Sequence, residues 1–379
     1  MPWQQVTPMS EKKEFISLAV QEEANISRLC RYFQVSRKTA YKWLGRYRRE
    51  GEAGLADHSR RPCSCPGQTP LVLEAAVVQV REEHPAWGGR KIRARLQHLG
   101  WTAVPAASTI TAILRRQGLI DPAESAKHMA CQRFEAERPN DLWQMDFKGH
   151  FAAQQGRCHP LTVLDDHSRF ALGLEACGDE RRETVRERLT AIFRRYGLPR
   201  KMLMDNGPPW GTEGQADYSA LTVWLLRLGV QVGHSGPYHP QTLGKDERFH
   251  RTLEAELLQY CRGLELSVCQ RRFEAWRQTY NLERPHEALG LAPPVSRYRE
   301  SSRSFPETLT EWEYGPGDVV RRVYEGGRIG FHNRFFRVGK AFRGQTVALR
   351  PTLADGVWEV FFGPHRIGQI DEREVPDHD

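Results

Sequence analysis

Between residues 142 and 282 the chain alternates apolar, β-rich segments with amphipathic ones, and this order most constrains the fold. Four segments have the composition of strands, namely LWQMDFKGHF, LTVLDDHSRFALGLEAC, RKMLMDNG and VQVGHS. Four other segments space their apolar residues as amphipathic helices do, namely ETVRERLTAIFRRYG, YSALTVWLLRLG, GKDERFHRTLEAELLQY and RRFEAWRQTYN. Strands that alternate with helices build layered α/β domains. We therefore predict a central α/β domain with a mixed sheet flanked by helices.

The part of the chain before this region has helical patterns only. Residues 10–50 predict three helices with Ser10, Asn25 and Ser36 as caps and Gly51 as the stop. The second and third of these helices resemble a helix-turn-helix, although a solvated helical hairpin fits the same pattern. In the first case the third helix presents four side chains to the major groove. These candidate DNA contacts are Arg37, Lys38, Tyr41 and Lys42.

Residues 71–125 repeat the helical theme, with a basic helix in GRKIRARLQHLG and another that begins at Ser108. The proline-containing linker before them carries Arg60 and Arg61, which fit a DNA groove or a plain spacer equally well. After the α/β region, short β-rich runs separated by glycine-containing turns predict a small β-barrel. Its basic residues are Arg321, Arg322, Arg334, Arg337, Lys340 and Arg343.

These patterns predict a multidomain chain. The predicted parts are a helix-turn-helix domain at 1–54, a linker at 55–70, a second helical DNA-binding domain at 71–125, a linker at 126–139, an α/β domain at 140–290, a linker at 291–313 and a basic small β-barrel at 314–379.

Composition favours a polyanionic partner. The net charge is +8 and the pI is about 9.1, and arginine, which suits bidentate phosphate contact, outnumbers lysine. The eight cysteines form no CxxC pair, so we expect reduced and mostly buried thiols rather than a zinc site. No apolar run approaches the roughly 18 residues of a membrane span, and the first residues lack the apolar core of a secretory signal. We expect a cytoplasmic protein with no membrane association.

Three acidic residues stand in distinctive contexts. Asp146 lies in LWQMDFKG, Asp205 in MLMDNGPPW and Glu247 in HPQTLGKDERFHRTL. Carboxylates that converge can hold two Mg²⁺ ions about 4 Å apart, a pair that stabilises the attacking and leaving oxygens of a phosphoryl displacement. We therefore predict Asp146, Asp205 and Glu247 as metal ligands and catalytic residues, with Mn²⁺ as a substitute ion.

These three contexts, taken in order, resemble the DDE transposase and retroviral-integrase superfamily. The whole chain most resembles bacterial insertion-sequence transposases of the IS481 group, near the IS3 group. The resemblance implies an RNase H-like fold with a five-stranded mixed sheet, Asp146 on the first strand, Asp205 at the end of a later one and Glu247 on a helix. The interval from Asp205 to Glu247 is longer than in retroviral integrases, and a surface loop in GPPWGTEGQAD would hold the insertion.

Helix geometry supports Glu247 separately. At about 100° per residue, Phe249, Leu253 and Leu257 form one apolar stripe, and Glu247 lies on another face together with Arg251. An exposed pair of Glu247 with Arg251 is the structural alternative. Asp246 is the rival acid, about 100° away around the helix.

Several polar residues near the three acids remain open to two readings. Asp165 and Asp166 fit a turn with local hydrogen bonds better than metal ligation. Asn206 is a candidate for orienting the turn that bears Asp205. His286 fits packing at least as well as catalysis. The candidate DNA contacts around the core are His239, Gln241, Lys245 and Arg251.

The function predicted is that of a DNA transposase. It binds the terminal inverted repeats of its insertion sequence, cleaves DNA by Mg²⁺-dependent hydrolysis to free 3′-OH ends, and joins them to target DNA by transesterification. Its partners are double-stranded DNA and further copies of the chain, as a dimer or tetramer, in association with the bacterial nucleoid. The alternatives are a hydrolysis-only RNase H-type nuclease, a DNA-binding regulator, and a transposase subunit that needs a separate ATPase.

Overall fold

The computed structural model describes residues 7–57, 68–120, 135–205, 207, 209–210, 218–234 and 244–373. The chain divides into two compact units between Gln68 and Thr69. Within the described ranges, no helix has both the length and the apolar character that a bilayer span requires.

The first unit contains α1 (Pro8–Ala19), α2 (Ile26–Tyr32) and α3 (Arg37–Glu50), followed by a short 3-10 helix. Asn25 and Ser36 cap α2 and α3 as predicted, and Gly51 ends α3. The prediction that Ser10 caps α1 is wrong. Thr7 is the cap, and Ser10 occupies the third helical position, where its hydroxyl accepts a hydrogen bond from the Thr7 amide (2.9 Å). The two residues form a capping box.

The core of the first unit fixes the angle between its helices. Phe15 is fully buried, with its ring 5.6 Å from that of Phe33 and 5.8 Å from that of Trp43. Gln34 adopts a left-handed conformation (φ 52°) in the turn between α2 and α3. The helix-turn-helix prediction is confirmed.

The second unit begins with α4 (Leu71–Glu83), α5 (Gly89–His98) and α6 (Ala107–Arg116). Val77, Trp87, Ile92 and Ile110 share one buried core. A Cβ at Gly89 would lie 2.5 Å from the Ala107 carbonyl oxygen, so glycine permits the close approach of α5 to α6. These three helices agree with the predicted helical pattern, and the bounds of a second DNA-binding domain stay a prediction.

A mixed sheet forms the centre of the second unit. Its strands are β1 (Leu142–Phe147), β2 (Phe151–Ala152), β3 (Arg157–Asp165), β4 (Ala171–Cys177), β5 (Lys201–Met204) and β6 (Gln231–His234). The main order is β4-β3-β1-β5-β6, with the two-residue β2 paired to the start of β3. β3 runs antiparallel to β1 and β4, whereas β5 runs parallel to β1 and β6. This is the predicted five-stranded mixed sheet with one short additional strand.

Helices cover both faces of this sheet. One hydrophobic core lies under α7 (Arg182–Tyr196) and α8 (Ala220–Arg227), and the other lies under α9 (Gly244–Glu256) and α10 (Leu266–Leu282). The helix predicted through residue 260 ends earlier, because Leu257 leaves helical geometry (φ −140°) before a short 3-10 helix. α9 therefore has its own length and direction, and it carries the candidate site.

Residues 291–313 have little regular structure but pack firmly against the sheet domain. Tyr298 stacks on Phe170 with ring centroids 4.1 Å apart. Arg303 donates hydrogen bonds to the carbonyl oxygens of Pro199 (2.6 Å) and Gly229 (2.9 Å). The irregular connection predicted from the sequence is thus fixed in place by side-chain contacts.

The C-terminal part is a small antiparallel β structure. Its strands are β7 (Val319–Arg322), β8 (Arg328–Phe331), β9 (Arg334–Arg337), β10 (Thr346–Pro351), β11 (Val357–Phe362) and β12 (His365–Asp371). Four of them pair in the order β12-β11-β10-β7, and β8 and β9 form a hairpin. Val223 and Leu226 of α8 share a core with Phe342 and Phe362, so this domain is docked on the central domain. Closure of its strands into a barrel stays a prediction.

Candidate metal and DNA site

Two of the predicted carboxylates lie at neighbouring strand ends. Asp146 is near the end of β1, and Asp205 directly follows β5. The parallel register pairs Gln144 with Leu203, and two further residues along each strand bring Asp146 beside Asp205. Adjacent strands are about 4.8 Å apart. The sheet therefore places these two acidic side chains next to one another.

The environment of the pair disfavours its negative charge. Burial, and then the charge of Asp205, raise the pKa of Asp146 to about 6. Burial also raises the pKa of Asp205, although its Oδ1 accepts a hydrogen bond from the Gly207 amide (3.1 Å). Two desolvated carboxylates held side by side repel each other, and a divalent cation between them removes that cost. The donor set therefore fits a hard cation such as Mg²⁺.

Helix α9 is anchored beside this pair. Phe249, Leu253 and Leu257 are buried, as the predicted apolar stripe requires. His250 Nδ1 lies 4.0 Å from Asp146 Oδ2, and His250 Nε2 lies 2.9 Å from the Thr162 hydroxyl oxygen. The helix therefore contacts β1 and β3 at the level of Asp146.

Glu247 is exposed on this helix, one turn before His250. Residues three apart on a helix are neighbours, so Glu247 lies on the solvent side of the contact between His250 and Asp146. Arg251 is exposed as well. In the part of the chain that the structure describes, no three His, Cys, Asp or Glu side chains are close enough together to hold a metal ion. The role of Glu247 as a third ligand stays a prediction.

The neighbouring acid points the other way. Asp246 is 2% exposed. Neither of its carboxylate oxygens has a hydrogen-bond partner among the described residues. Burial is the main cause of a strongly raised pKa for Asp246, and the nearby charges of Asp146 and Asp166 add to it. From the sequence alone, Asp246 is a rival of Glu247 and has no predicted role of its own.

Asp165 and Asp166 have structural partners. Asp165 accepts hydrogen bonds from the amides of Asn140 and Ser168, each at 2.8 Å. Asp166 accepts from the Ala136 amide and the Gln144 side chain, each at 2.7 Å. The preferred reading of these two acids as a hydrogen-bonded turn agrees with these contacts.

Lys245, a predicted DNA contact, forms an ion pair within the protein. Its Nζ lies 2.5 Å from Asp166 Oδ1, and its side chain is only 13% exposed. This ion pair ties the first turn of α9 to the turn after β3. A phosphate contact would require the pair to open.

The helix-turn-helix carries the predicted DNA face. Lys38, Tyr41 and Lys42 are exposed on α3, at positions that share one side of a helix. Arg37 instead donates a hydrogen bond from Nε to the Ser27 hydroxyl (3.1 Å). It therefore links α3 to α2 in this structure.

Other predicted residues are placed differently or lie outside the description. Arg60, Arg61, Asn206, His239 and Gln241 fall outside the described residues. His286 is partly buried, and burial together with nearby cations lowers its pKa to about 3. The cysteines that the structure describes, which are Cys30, Cys158, Cys177, Cys261 and Cys269, are free and buried, as predicted.

Several basic residues of the C-terminal domain have internal partners. Arg321 donates to the Gly330 carbonyl oxygen (3.0 Å), Arg334 to the Glu372 carbonyl oxygen, and Arg343 to the Glu325 carboxylate. Arg322 and Lys340 are exposed. The basic surface of this domain is therefore smaller than the sequence suggests.

Sequence reasoning missed His250 and Asp246. The only available signal for Asp246 was its position before Glu247 in a helix whose apolar stripe lies on the Asp246 side. His250 gave no signal, because its contacts with Asp146 and Thr162 depend on how α9 lies on the sheet.

Family models match most parts of the chain. Two integrase core domain models match residues 136–240 and 228–294, and the C-terminal domain of IS481 family transposases matches residues 318–377. A helix-turn-helix domain model matches residues 11–62, and a homeodomain-like domain model matches residues 39–114.

Two proteins of bacterial insertion elements are similar to this chain. The chain is 26% identical over 252 residues to the uncharacterized 39.2 kDa protein of insertion element IS476 from Xanthomonas euvesicatoria. The alignment covers 64% of this chain and 69% of that protein. It is 25% identical over 287 residues to the uncharacterized 31.7 kDa protein of insertion element IS407 from Burkholderia multivorans. This alignment covers 73% of this chain and 92% of that protein.

Among solved structures, the HTLV-2 integrase catalytic core domain in complex with magnesium aligns with a TM-score of 0.34 and 18% identity, over 44% of this chain and 100% of that chain. The simian T-cell lymphotropic virus intasome in complex with the PP2A regulatory subunit B56 gamma aligns with a TM-score of 0.37 and 16% identity, over 78% and 100%.

An integrase core preceded by helix-turn-helix domains defines a class, the polynucleotidyl transferases of the integrase and transposase type. Within this class, the C-terminal match and the insertion-element relatives confirm the resemblance to DDE transposases of the IS481 type.

Proposed function

We propose that the protein is the transposase of an insertion sequence, that it binds the terminal inverted repeats of that element, and that it cuts and joins DNA with Asp146, Asp205 and Glu247. The observation that carries this proposal is the adjacent, partly desolvated pair of Asp146 and Asp205 at the ends of parallel strands. A structural role would not require two carboxylates in such an unfavourable arrangement.

The residues present fit a divalent cation. Asp146 and Asp205 would hold Mg²⁺, or Mn²⁺ in its place, and Glu247 would complete the site from the solvent side of α9. When bound, divalent cations activate the attacking oxygen and stabilise the charge that develops on the phosphate, and two ions are the arrangement we propose. His250 and Thr162 orient α9 against β1 at this point.

The reaction proceeds in two displacements at one site. In the first, a water oxygen attacks a phosphorus at the element end, the bond from phosphorus to O3′ breaks, and that O3′ takes a proton to become a free 3′-OH. In the second, this 3′-OH loses its proton as its oxygen attacks a target phosphorus, and the target O3′ leaves and takes up a proton. Each displacement replaces one phosphorus–oxygen bond with another, so joining needs no external energy source.

Other parts of the chain would deliver DNA to this site. Lys38, Tyr41 and Lys42 offer an exposed face for an element end. Beside the core site, a cleft is lined by Lys148, His150 and Arg262 together with Glu254, and its basic groups suit a phosphate backbone. Because two ends are processed together, we propose a dimer or tetramer as the active form.

The test uses the full-length chain with DNA that carries the element ends. Asp146→Asn should abolish Mg²⁺-dependent cleavage and joining and leave end binding intact. The matched control is Asp141→Asn on the approach to the same strand, where the carboxylate lies 3.5 Å from Nη1 of the exposed Arg200; it should retain both activities. Strand joining by the Asp146→Asn protein would refute the proposal.

The same assay separates transposition from simple hydrolysis. A nuclease that only hydrolyses would cleave DNA with the wild-type site but would give no joined product from a pre-cleaved 3′-OH end. Joining by the purified chain alone would also exclude a strict need for a separate ATPase.

A further inference from the structure

Asp246 is a buried acid whose charge has no described partner. Its side chain is 2% exposed, and both carboxylate oxygens lack a hydrogen-bond partner in the described part of the chain. Buried polar groups are nearly always hydrogen-bonded, and a buried carboxylate without a partner is costly. An ionised carboxylate at this position therefore needs a nearby positive charge.

The geometry of α9 places this carboxylate at the edge of the proposed cation site. His250 reaches within 4.0 Å of Asp146. At about 100° per residue, Asp246 lies about 40° to one side of His250 on the helix and Glu247 about 60° to the other. Relative to His250, Asp246 lies on the buried side of the helix and Glu247 lies on the solvent-exposed side. The two acids therefore flank the approach of α9 to Asp146.

The nearby charges of Lys245 and Arg169 offset only part of the cost of burying Asp246. Lys245 directs its Nζ to Asp166 Oδ1 at 2.5 Å, although it is the residue next to Asp246. Arg169 directs its guanidinium to Glu135, with a contact of 3.2 Å. Each of these cations has an acidic partner other than Asp246.

Packing does not explain the residue either. Asp246 lies on the same side of the helix as Phe249 and Leu253, both of which are buried. An apolar side chain in its place would fill the space without the cost of desolvation. A carboxylate at this position is useful where a positive charge has to be held.

We propose that Asp246 is a fourth acidic residue of the divalent-cation site and supplies negative charge to it from the buried side of α9. This inference rests on the proposed function, because it takes Asp146 and Asp205 as the primary ligands. It assigns the two successive acids of α9 to opposite sides of one site, with Glu247 toward DNA and Asp246 toward the protein interior.

The experiment measures Mg²⁺ binding by calorimetry and thermal unfolding in EDTA, both on the full-length chain. Asp246→Asn should weaken Mg²⁺ binding by about tenfold or more, the scale found for groups that support metal ligands. In EDTA the variant should melt at the same temperature as wild type or higher, because an unpartnered buried carboxylate has been removed. Asp246→Ser is the second variant, in case the amide fits poorly, and Asp141→Asn is the control.

The outcomes separate this inference from the proposed function. Loss of Mg²⁺ binding in Asp146→Asn with wild-type binding in both Asp246 variants would overturn the inference and leave the proposed function standing. Wild-type binding in Asp146→Asn would overturn both. A clear fall in melting temperature in EDTA for both Asp246 variants would show a structural role and would also overturn the inference.

Discussion

His250 Nδ1 lies 4.0 Å from the carboxylate Oδ2 of Asp146, and the other ring nitrogen lies 2.9 Å from the Thr162 hydroxyl. The Thr162 hydroxyl donates its hydrogen to the Asp146 carbonyl oxygen at 2.9 Å, so it accepts from His250 Nε2–H. Burial lowers the pKa of His250 to about 4. The ring is therefore neutral at physiological pH, with an unprotonated Nδ1 toward Asp146. It orients α9 on the sheet and adds no charge to the site.

Replacement of His250 should separate orientation from DNA binding. Gln offers an amide nitrogen near the position of Nε2, whereas Leu removes the donor to Thr162. We expect His250→Leu to lower the cleavage rate by about 100-fold, because small misplacements of catalytic groups cost that much, and His250→Gln to recover part of the loss. End binding should stay at the wild-type level in both. Equal cleavage rates for the Leu and Gln variants would contradict an orienting hydrogen bond.

Much of this fold could be predicted from local sequence. Asn25, Ser36 and Gly51 mark helix ends through interactions within a few residues, and the stripe from Phe249 to Leu257 follows from helix periodicity alone. The cap of α1 is an exception, because Thr7 and Ser10 both fit a cap and only the backbone geometry distinguishes them.

The candidate site was less predictable, because its contacts join distant parts of the chain. The sequence predicts Lys245 as a DNA contact, because it gives no sign that Asp166, far away in the chain, is its partner. The inward direction of Asp246 depends on how α9 rotates against β1 and β3. The neighbouring position of Asp146 and Asp205 follows from the strand order, which the resemblance to a known fold supplied.

The ion pair of Lys245 with Asp166 should contribute to stability. Lys245→Met would leave a fully buried carboxylate without its cation, and we expect a loss of about 3 kcal/mol in the free energy of unfolding. That is the low end of the usual range, because Asp166 keeps two neutral hydrogen-bond donors. Urea unfolding checks this value. A variant of normal stability with weakened DNA binding would instead support the original reading of Lys245 as a phosphate contact.

The exposed face of α3 should contribute electrostatically to DNA affinity. Replacement of Lys38 and Lys42 together by Ser should weaken end binding and should reduce the slope of log affinity against log salt by about 0.9 for each phosphate contact that is lost. Fluorescence anisotropy over a salt series measures both quantities. The matched control is Lys13→Ser on α1, whose ammonium group pairs with Glu52 at 2.7 Å. An unchanged slope in the double variant would place the DNA elsewhere.

His286 should make the protein less stable in acid. Burial, and then the charges of Arg284, Arg169, Lys91 and Arg248, lower its pKa to about 3 from 6.5. Below about pH 6.5 the unfolded chain therefore binds a proton at His286 that the folded chain does not bind. The stability contributed by neutral His286 is complete above that pH and is lost as the pH falls toward 3. At pH 5 the loss amounts to about 2 kcal/mol.

Comparison with a variant isolates this contribution from those of other titrating groups. His286→Gln keeps a neutral polar side chain at the position, and it should lose less stability than wild type between about pH 7.5 and pH 5 in urea unfolding, because its contribution no longer titrates. His98→Gln, at an exposed position on α5, should follow the wild-type profile. Since the remaining histidines and carboxylates are common to all three proteins, parallel profiles for His286→Gln and wild type would show that His286 takes up its proton as easily in the folded chain as in the unfolded one.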